Sequence, residues 1–526
     1  MVMLSPGVYT REKDFSSVVS GISPAIAGMV GVFKRGPIMQ RTLVTSGADF
    51  ERKFGTPFPD SLASYSALQF LQQGNQLWVV RTCGGVGDNP NSPESWEAEY
   101  AEVVITDNVG ETPSDGIKVK ANTPGTWAVD GGMAVKVSNV VTPTTTDIGT
   151  FQFTVYFNGE IVEEYFDLTV DEESEDYFLE VLNKSRFITV EDIKGGEWAS
   201  TMPAANMEGS LVIPYELEGG TNGIYSSMSP ALDGVLEGDY IKALEEFQNP
   251  DDVYVNVMMA PGNHDDAVIR KGIEICENRA DCLYLADPPF GLDEQEVVEW
   301  HNGDRGTDPA VGAFNSSYAA LYWPWCEIYD PYSKGNVWVP PSGLVSGAYA
   351  YNDREGEPWF APAGLNRGKL LIPNRLEANP SIGSRDFMYS QGNAVNPIVN
   401  FPVDGITIWG QRTLQRRPSD TDRINVRRLM LLVRRAVAIS TNYLVFEQND
   451  FQTWDRWKNM IEPFLDNIRQ RRGLDDFMVV MDETTVTPYD IDSNRMPGKI
   501  LLKPTRAAEF ISVDFVIYPT GVSFTS

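Results

Sequence analysis

Residues 238–302, GDYIKALEEFQNPDDVYVNVMMAPGNHDDAVIRKGIEICENRADCLYLADPPFGLDEQEVVEWHN, change periodicity four times, and that alternation decides the fold. GDYIKALEEFQNP, DDAVIRKGIEICENR and DEQEVVEWHN place apolar residues at helical spacing. VYVNVMMAP and CLYLADPP are short apolar runs closed by proline. Helices alternating with buried strands predict a sheet of parallel strands covered by helices, because a parallel pair needs a long crossover and a helix supplies it.

Upstream, DSLASYSALQFLQQGNQLWVVRTCGG (60–85) reads as one more α/β unit. Asp60 or Ser61 is the N-cap, Gly74 the stop, and LWVV the buried strand. From residue 90 to 215 the pattern changes. VKVSNVVTPTTTDIGTFQFTVYFNGEIVEEYFDLTV (135–170) alternates β-branched and aromatic residues with turn residues, and Asn158-Gly159 marks a tight hairpin between FTVYF and EIVEEYF. This predicts a β-rich module inserted into the α/β chain. Residues 330–400 read as a long loop-rich stretch dense in Pro, Gly, Tyr and Trp. After it come two helices, RINVRRLMLLVRRAVAIS and FQTWDRWKNMIEPFLDNIRQRRG, then strands LLKPT and EFISVDFVIYP. The expected class is a multidomain α/β and α+β chain with an inserted β-rich domain and extended terminal strands. Its expected divisions are 1–20, 21–89, 90–215, 216–380, 381–509 and 510–526.

The 526 residues exceed what one core accommodates. With 42 Lys+Arg against 73 Asp+Glu the formal charge is −31, which opposes wholesale binding to nucleic acid or to an anionic membrane. Cys83, Cys276, Cys282 and Cys326 form no CxxC pair, which points to a reducing compartment rather than a disulfide framework. No basic segment followed by an apolar run opens the chain, and no apolar stretch reaches membrane-spanning length. A soluble protein made in a cytoplasm is expected.

Chemistry is sparse. PGNHDD (261–266) follows a predicted strand and resembles the Asn-His elements of metal-dependent phosphoesterases. A two-metal site needs several more ligands, and the chain has only His264 and His301. The structural reading, a polar turn in which Asn263 or Asp265 caps the next helix, is preferred. Two histidines also make a nucleophile-base-acid triad hard to assemble, and no phosphate-binding loop motif occurs. No catalytic residue, metal or cofactor is assigned.

Two other features stand out. Eleven arginines gather in one region: Arg412, Arg416, Arg417, Arg423, Arg427, Arg428, Arg434, Arg435, Arg469, Arg471 and Arg472. Against so acidic a background they suggest an acidic protein surface as partner, although Arg427 and Arg428 serve equally well as internal ion-pair partners, and Arg469, Arg471 and Arg472 as complements of a helix C-terminal dipole. The second feature is GVYTREKDFSSVV (7–19). It has strand composition but no apolar face, since Val8, Thr10, Glu12 and Asp14 alternate with Tyr9, Arg11, Lys13 and Phe15. EFISVDFVIYP, by contrast, sets Ile511, Val513, Phe515 and Ile517 on one side. Such terminal strands suit a sheet completed between chains.

These segments, taken with SPGVYTREKDFS, LEGGTNG, SSYAALYWPWCEIYDP, VPPSGLVSGAYAYNDREGEPWFAPAG, IWGQRTL, RINVRRLMLLVRRAV, YLVFEQND and RAAEFISVDFVIYP, resemble the tail sheath proteins of contractile bacteriophages. The resemblance covers the first hundred residues and most of 210–526. It leaves the insertion uncovered, and Lys13 stands where the family often has an apolar residue. It implies a structural subunit of the virion tail, assembled in the host cytoplasm as stacked hexameric rings around an acidic tail tube, with baseplate and tail terminator proteins as further partners. Contraction would drive the tube through the host envelope. It further implies that terminal arms, here Val8, Tyr9, Thr10, Arg11, Phe15, Ile511, Val513, Phe515 and Ile517, join strands in neighbouring subunits. The C-terminal region would form an inner layer, with Arg469, Arg471, Arg472, Arg427 and Arg428 as candidates to face the tube. A sheath from a headless contractile particle or secretion machine fits the same residues, and a metal-dependent phosphoesterase is the alternative of another class.

Overall fold

A computed structural model of the chain describes residues 25–510 apart from 89, 93–94, 108–113, 144–148, 197, 199–200, 209–210, 225–234 and 305–311. The described residues fall into two compact units, one of 25–357 with 362–424 and the other of 358–361 with 425–510.

The larger unit opens with β1 (Ile26–Gly31), β2 (Thr42–Val44), α1 (Gly47–Phe54), α2 (Leu62–Leu71) and β3 (Gln76–Arg81). The insertion follows, with β4 (Ala101–Thr106), β5 (Asp115–Ala121), α3 (Trp127–Asp130), β6 (Ala134–Val141), β7 (Thr150–Phe157), β8 (Glu160–Leu168), α4 (Phe178–Leu182) and β9 (Ile188–Asp192). Four two-residue strands close it: β10 (Met207–Glu208), β11 (Leu211–Val212), β12 (Tyr215–Glu216) and β13 (Glu218–Gly219). The chain then runs through α5 (Glu237–Glu245), β14 (Val257–Met259), α6 (Asp266–Arg279), β15 (Leu283–Ala286), α7 (Glu294–Asn302) and β16 (Ala319–Trp323). It ends with β17 (Cys326–Asp330), β18 (Gly335–Val339), α8 (Pro341–Glu355), β19 (Arg375–Leu376), α9 (Ile382–Met388), β20 (Val395–Phe401) and β21 (Gly405–Ile408).

The main sheet has eight strands in the order β2-β3-β1-β14-β15-β16-β20-β21. The six central strands are parallel, as the alternation predicts. Both edges depart from it, since β2 and β21 each run antiparallel to their neighbour. β20 and β21 are joined by a short hairpin, whereas α1 and α2 lie between β2 and β3. β1 is buried along its whole length because both faces are covered. On one face α6 approaches β15 so closely that a Cβ at Gly272 would stand 2.2 Å from the Tyr284 ring, so only glycine fits there.

Ser61 caps α2, its side chain accepting from the Ser64 N–H, and the helix ends before Gly74. The insertion is a separate β module. Its two four-stranded antiparallel sheets, β12-β6-β7-β8 and β13-β4-β5-β9, share one core that includes Trp127, Phe151, Phe153, Phe178 and Trp198. Asn158 and Gly159 form the expected two-residue turn, both at positive φ (54° and 78°), which matches the twist of the flanking strands.

The stretch 330–400 corrects the loop-rich expectation, because its PSGLVSGAYAYNDRE portion is the 15-residue helix α8. Pro341 starts it, where a missing N–H costs nothing. Its glycines lie against α2, where a Cβ at Gly343 would meet Ser66 at 2.6 Å. Tertiary packing thus overrides the low helix propensity of Gly and Ser.

PGNHDD is a turn. Asp265 caps α6, its carboxylate accepting from Ala267 N and Val268 N, while Asn263 accepts from Asp265 N. Such a cap contributes about 1 kcal/mol. The turn rests on Asp287, a fully buried carboxylate just beyond β15. Asp287 accepts hydrogen bonds from Gly262 N (3.1 Å), Ser342 N (2.9 Å) and Ser342 Oγ (2.6 Å), and so joins the β14–α6 turn, the end of β15 and the start of α8. Burial nevertheless pushes its pKa up to about 6, the desolvation of the charged form outweighing those bonds.

Candidate assembly interface

The smaller unit is built from α10 (Ile424–Thr441), α11 (Phe451–Gln470), β22 (Leu474–Val480), α12 (Pro488–Asp492) and β23 (Lys499–Pro504). Its core gathers Leu429 and Val433 of α10, Trp454, Trp457, Ile461 and Leu465 of α11, and Trp359 from the 358–361 segment. Val426, Met430, Val433 and Val437, the stripe expected on α10, are all buried or half-buried.

β22 and β23 form an antiparallel two-stranded sheet, and neither pairs with a further strand among the described residues. β23 alternates strictly: Ile500 and Leu502 turn inward, while Lys499, Leu501 and Lys503 are exposed. On the outer side Met478 (58% exposed) lies opposite Leu501 (56%). Along β23 runs an apolar groove of about 450 Å³, lined by Val433 and Val437 of α10, by Trp457, and by Met496, Ile500 and Leu502. A two-stranded sheet is marginal in water, and its open edges are templates for another strand.

The arginine cluster divides. Arg412 and Arg423 belong to the larger unit, pair with Asp422 (3.8 and 3.0 Å) and lie over the Tyr389 ring. Arg416 is exposed there and donates to Asn302. In the smaller unit Arg427 (8% exposed) and Arg428 (5%) are buried. Arg434 is exposed and Arg435 half-buried. At the end of α11, Arg469, Arg471 and Arg472 are all exposed. Arg469 pairs with Asp466, reaches Asp476 at 4.0 Å and lies over Phe477, and Arg471 lies over Trp359. Arg472 takes the left-handed position (φ 67°) that would suit the following glycine, which projects it from the helix end. Exposed pairs of this kind contribute at most about 1 kcal/mol, which leaves them free to exchange partners.

Val8, Tyr9, Thr10, Arg11, Phe15, Ile511, Val513, Phe515 and Ile517 lie outside the described residues. The residues that sequence reasoning missed are those of β22. Asp475 and Asp476 interrupt its alternation, and the only available signal was the short run Phe477–Val480. His264 is half-buried beside the Gly262 carbonyl, and no group of three metal-ligating side chains occurs among the described residues.

Among the described residues the β22–β23 sheet has an unpaired edge beside an apolar groove, and no group of three metal-ligating side chains occurs. Residues 233–414 match the phage tail sheath protein central domain, and residues 416–518 match the phage tail sheath C-terminal domain. Those matches take in more than half of the chain, which belongs to the phage tail sheath protein family: it is a contractile tail sheath protein, a structural component of the virion tail and not an enzyme. The chain is 26% identical to the tail sheath protein of Vibrio phage KVP40 and 23% identical to that of Enterobacteria phage T4, with 100% of this chain and 99% of each relative covered. Its fold is similar to the sheath of an extracellular contractile injection system, PVC, in the contracted state (TM-score 0.54, 16% identity, 98% of both chains). It is also similar to the sheath tail protein from Listeria innocua (TM-score 0.57, 12% identity, 92% of this chain and 96% of that one).

Proposed function

We propose that the chain polymerises as helically stacked hexameric rings around an acidic tail tube, with copies joined by exchange of terminal strands, and that the polymer contracts to drive the tube through the host envelope. The observation that carries this reading is the open β22–β23 sheet beside its apolar groove. A strand added along β23 gains backbone hydrogen bonds and turns every second side chain into the groove. Ile511, Val513, Phe515 and Ile517 have that spacing, and the 7–19 segment, which lacks an apolar face, suits an outer position. The insertion, residues 90–215, faces outward, and the ends of the polymer meet baseplate and terminator proteins. Structures solved of the anti-feeding prophage baseplate include a chain similar to this one, which supports the baseplate contact.

Contraction needs two packings of one subunit that differ by a few kcal/mol, multiplied over many copies. Strand exchange keeps copies linked while they move. Negative-stain microscopy of the purified full-length chain at rising concentration tests the reading. Helical tubes are the expected result, and a chain that stays monomeric at every concentration overturns it.

Arg469, Arg471 and Arg472 are the proposed tube contacts, attractive at long range and breakable without unpacking an apolar interface. Reversing all three to Glu weakens assembly on isolated tubes and flattens its salt dependence. An unchanged salt dependence removes them from the contact.

A further inference from the structure

Cys276 and Cys282 are unused by any of this. Cys276 lies in the last turns of α6, and Cys282 is the residue before β15. Between them the chain reverses through Ala280, a left-handed cap (φ 56°) whose N–H donates to the Cys276 carbonyl at 2.8 Å. The two thiols are thereby turned toward each other. Their sulfurs are 3.1 Å apart, closer than the roughly 3.5–4.0 Å at which carbon atoms pack. A disulfide bond is about 2.0 Å long, so closure needs a shift of about 1 Å. Both thiols are fully buried and reduced.

The surroundings are fixed. Arg279 has no exposed side-chain surface and grips Asp281 through two hydrogen bonds (2.9 and 3.1 Å) as well as the carbonyls of Phe247 and Val253. Its guanidinium acts on Cys276 in the sense that favours a thiolate, against the larger effect of burial, which raises the thiol pKa.

We propose that Cys276 and Cys282 are a dithiol that a peroxide closes to an intrachain disulfide once the chain leaves the reducing cytoplasm, stapling α6 to the centre of the main sheet. One sulfur, as thiolate, attacks a peroxide oxygen. The O–O bond breaks, and a sulfenic acid and water result. The second thiol sulfur attacks the sulfenic sulfur and expels its oxygen as a second water. Two thiols and one hydrogen peroxide thus give one disulfide and two waters, the sulfurs losing the two electrons that the peroxide gains. Reduced glutathione holds the pair open inside the host, and after closure burial shields the bond from bulky reductants.

The test is hydrogen peroxide treatment of the purified full-length chain, followed by denaturation, alkylation and peptide mapping. The expected product joins Cys276 to Cys282, with Cys83 and Cys326 still alkylated. It also melts at a higher temperature than the untreated chain, and dithiothreitol reverses the gain. Cys276→Ser and Cys282→Ser each abolish the joined peptide. Recovery of all four cysteines as alkylated thiols overturns the proposal, as does oxidation of Cys276 and Cys282 to separate sulfinic acids. A joined chain with an unchanged melting temperature overturns the staple.

Discussion

A chain lacking residues 1–19 remains a folded monomer and forms no helical tubes. The first half of that expectation follows from the larger unit, whose first strand, Ile26–Gly31, is flanked on both sides by β3 and β14 and fully buried. The second half follows from the composition of 7–19, which offers no apolar face to a core of its own chain. In the proposed polymer, an arm docked on a neighbour would be repeated in every copy. A contact contributing even about 2.8 kcal/mol changes each association step about 100-fold, and loss of every such contact removes the polymer. Circular dichroism and thermal melting check the fold, and light scattering with microscopy checks the polymer. Normal tubes from the truncated chain refute the arm assignment.

Asp287→Asn abolishes a loss of stability that the natural chain suffers between about pH 4 and pH 6. The carboxyl is fully buried, and its folded pKa stands at about 6 against an ordinary 3.8. A carboxyl whose folded pKa is raised binds its proton more tightly in the native state. Its favourable contribution is complete below the unfolded pKa and is lost as pH rises through the folded one. A shift of that size amounts to roughly 3 kcal/mol at neutral pH, before any relaxation of the site. Asparagine keeps the shape and an acceptor for the Ser342 or Gly262 N–H without the charge. The readout is the difference in melting temperature between the two proteins across pH 4–7, since the many other carboxylates contribute equally to both. The variant gains on the natural chain as pH rises, and parallel curves refute the assignment.

Much of this architecture was legible because local chemistry and tertiary packing agree. Asp265 and Ser61 cap the helices that their positions suggest, Asn158-Gly159 makes its turn, and the alternation over 238–302 gives the parallel centre of the main sheet. Where they disagree, the reading failed. α8 is a helix because its small residues let it lie against α2, a reason that resides in another part of the chain. The antiparallel edges were hidden because short strands carry no mark of direction. One-sign clustering along the sequence overstated the free positive charge: Arg412 and Arg423 meet Asp422 in the larger unit, while in the smaller unit Arg469 meets Asp466 and Arg427 and Arg428 are buried. The groove could not be read at all, since it exists only when α10 and β23 are brought side by side.

Open sheet edges accept whichever strand reaches them first, so β22 and β23 also raise a question of timing. A subunit stored at high concentration would spend its edges on other free subunits, away from any particle. The charge of −31 opposes this, because it spreads mutual repulsion over every encounter between copies. In the proposed polymer, that repulsion would raise the concentration at which free copies join and would favour addition where one copy is already held in register. Salt that shortens the range of repulsion would then lower the concentration at which tubes form.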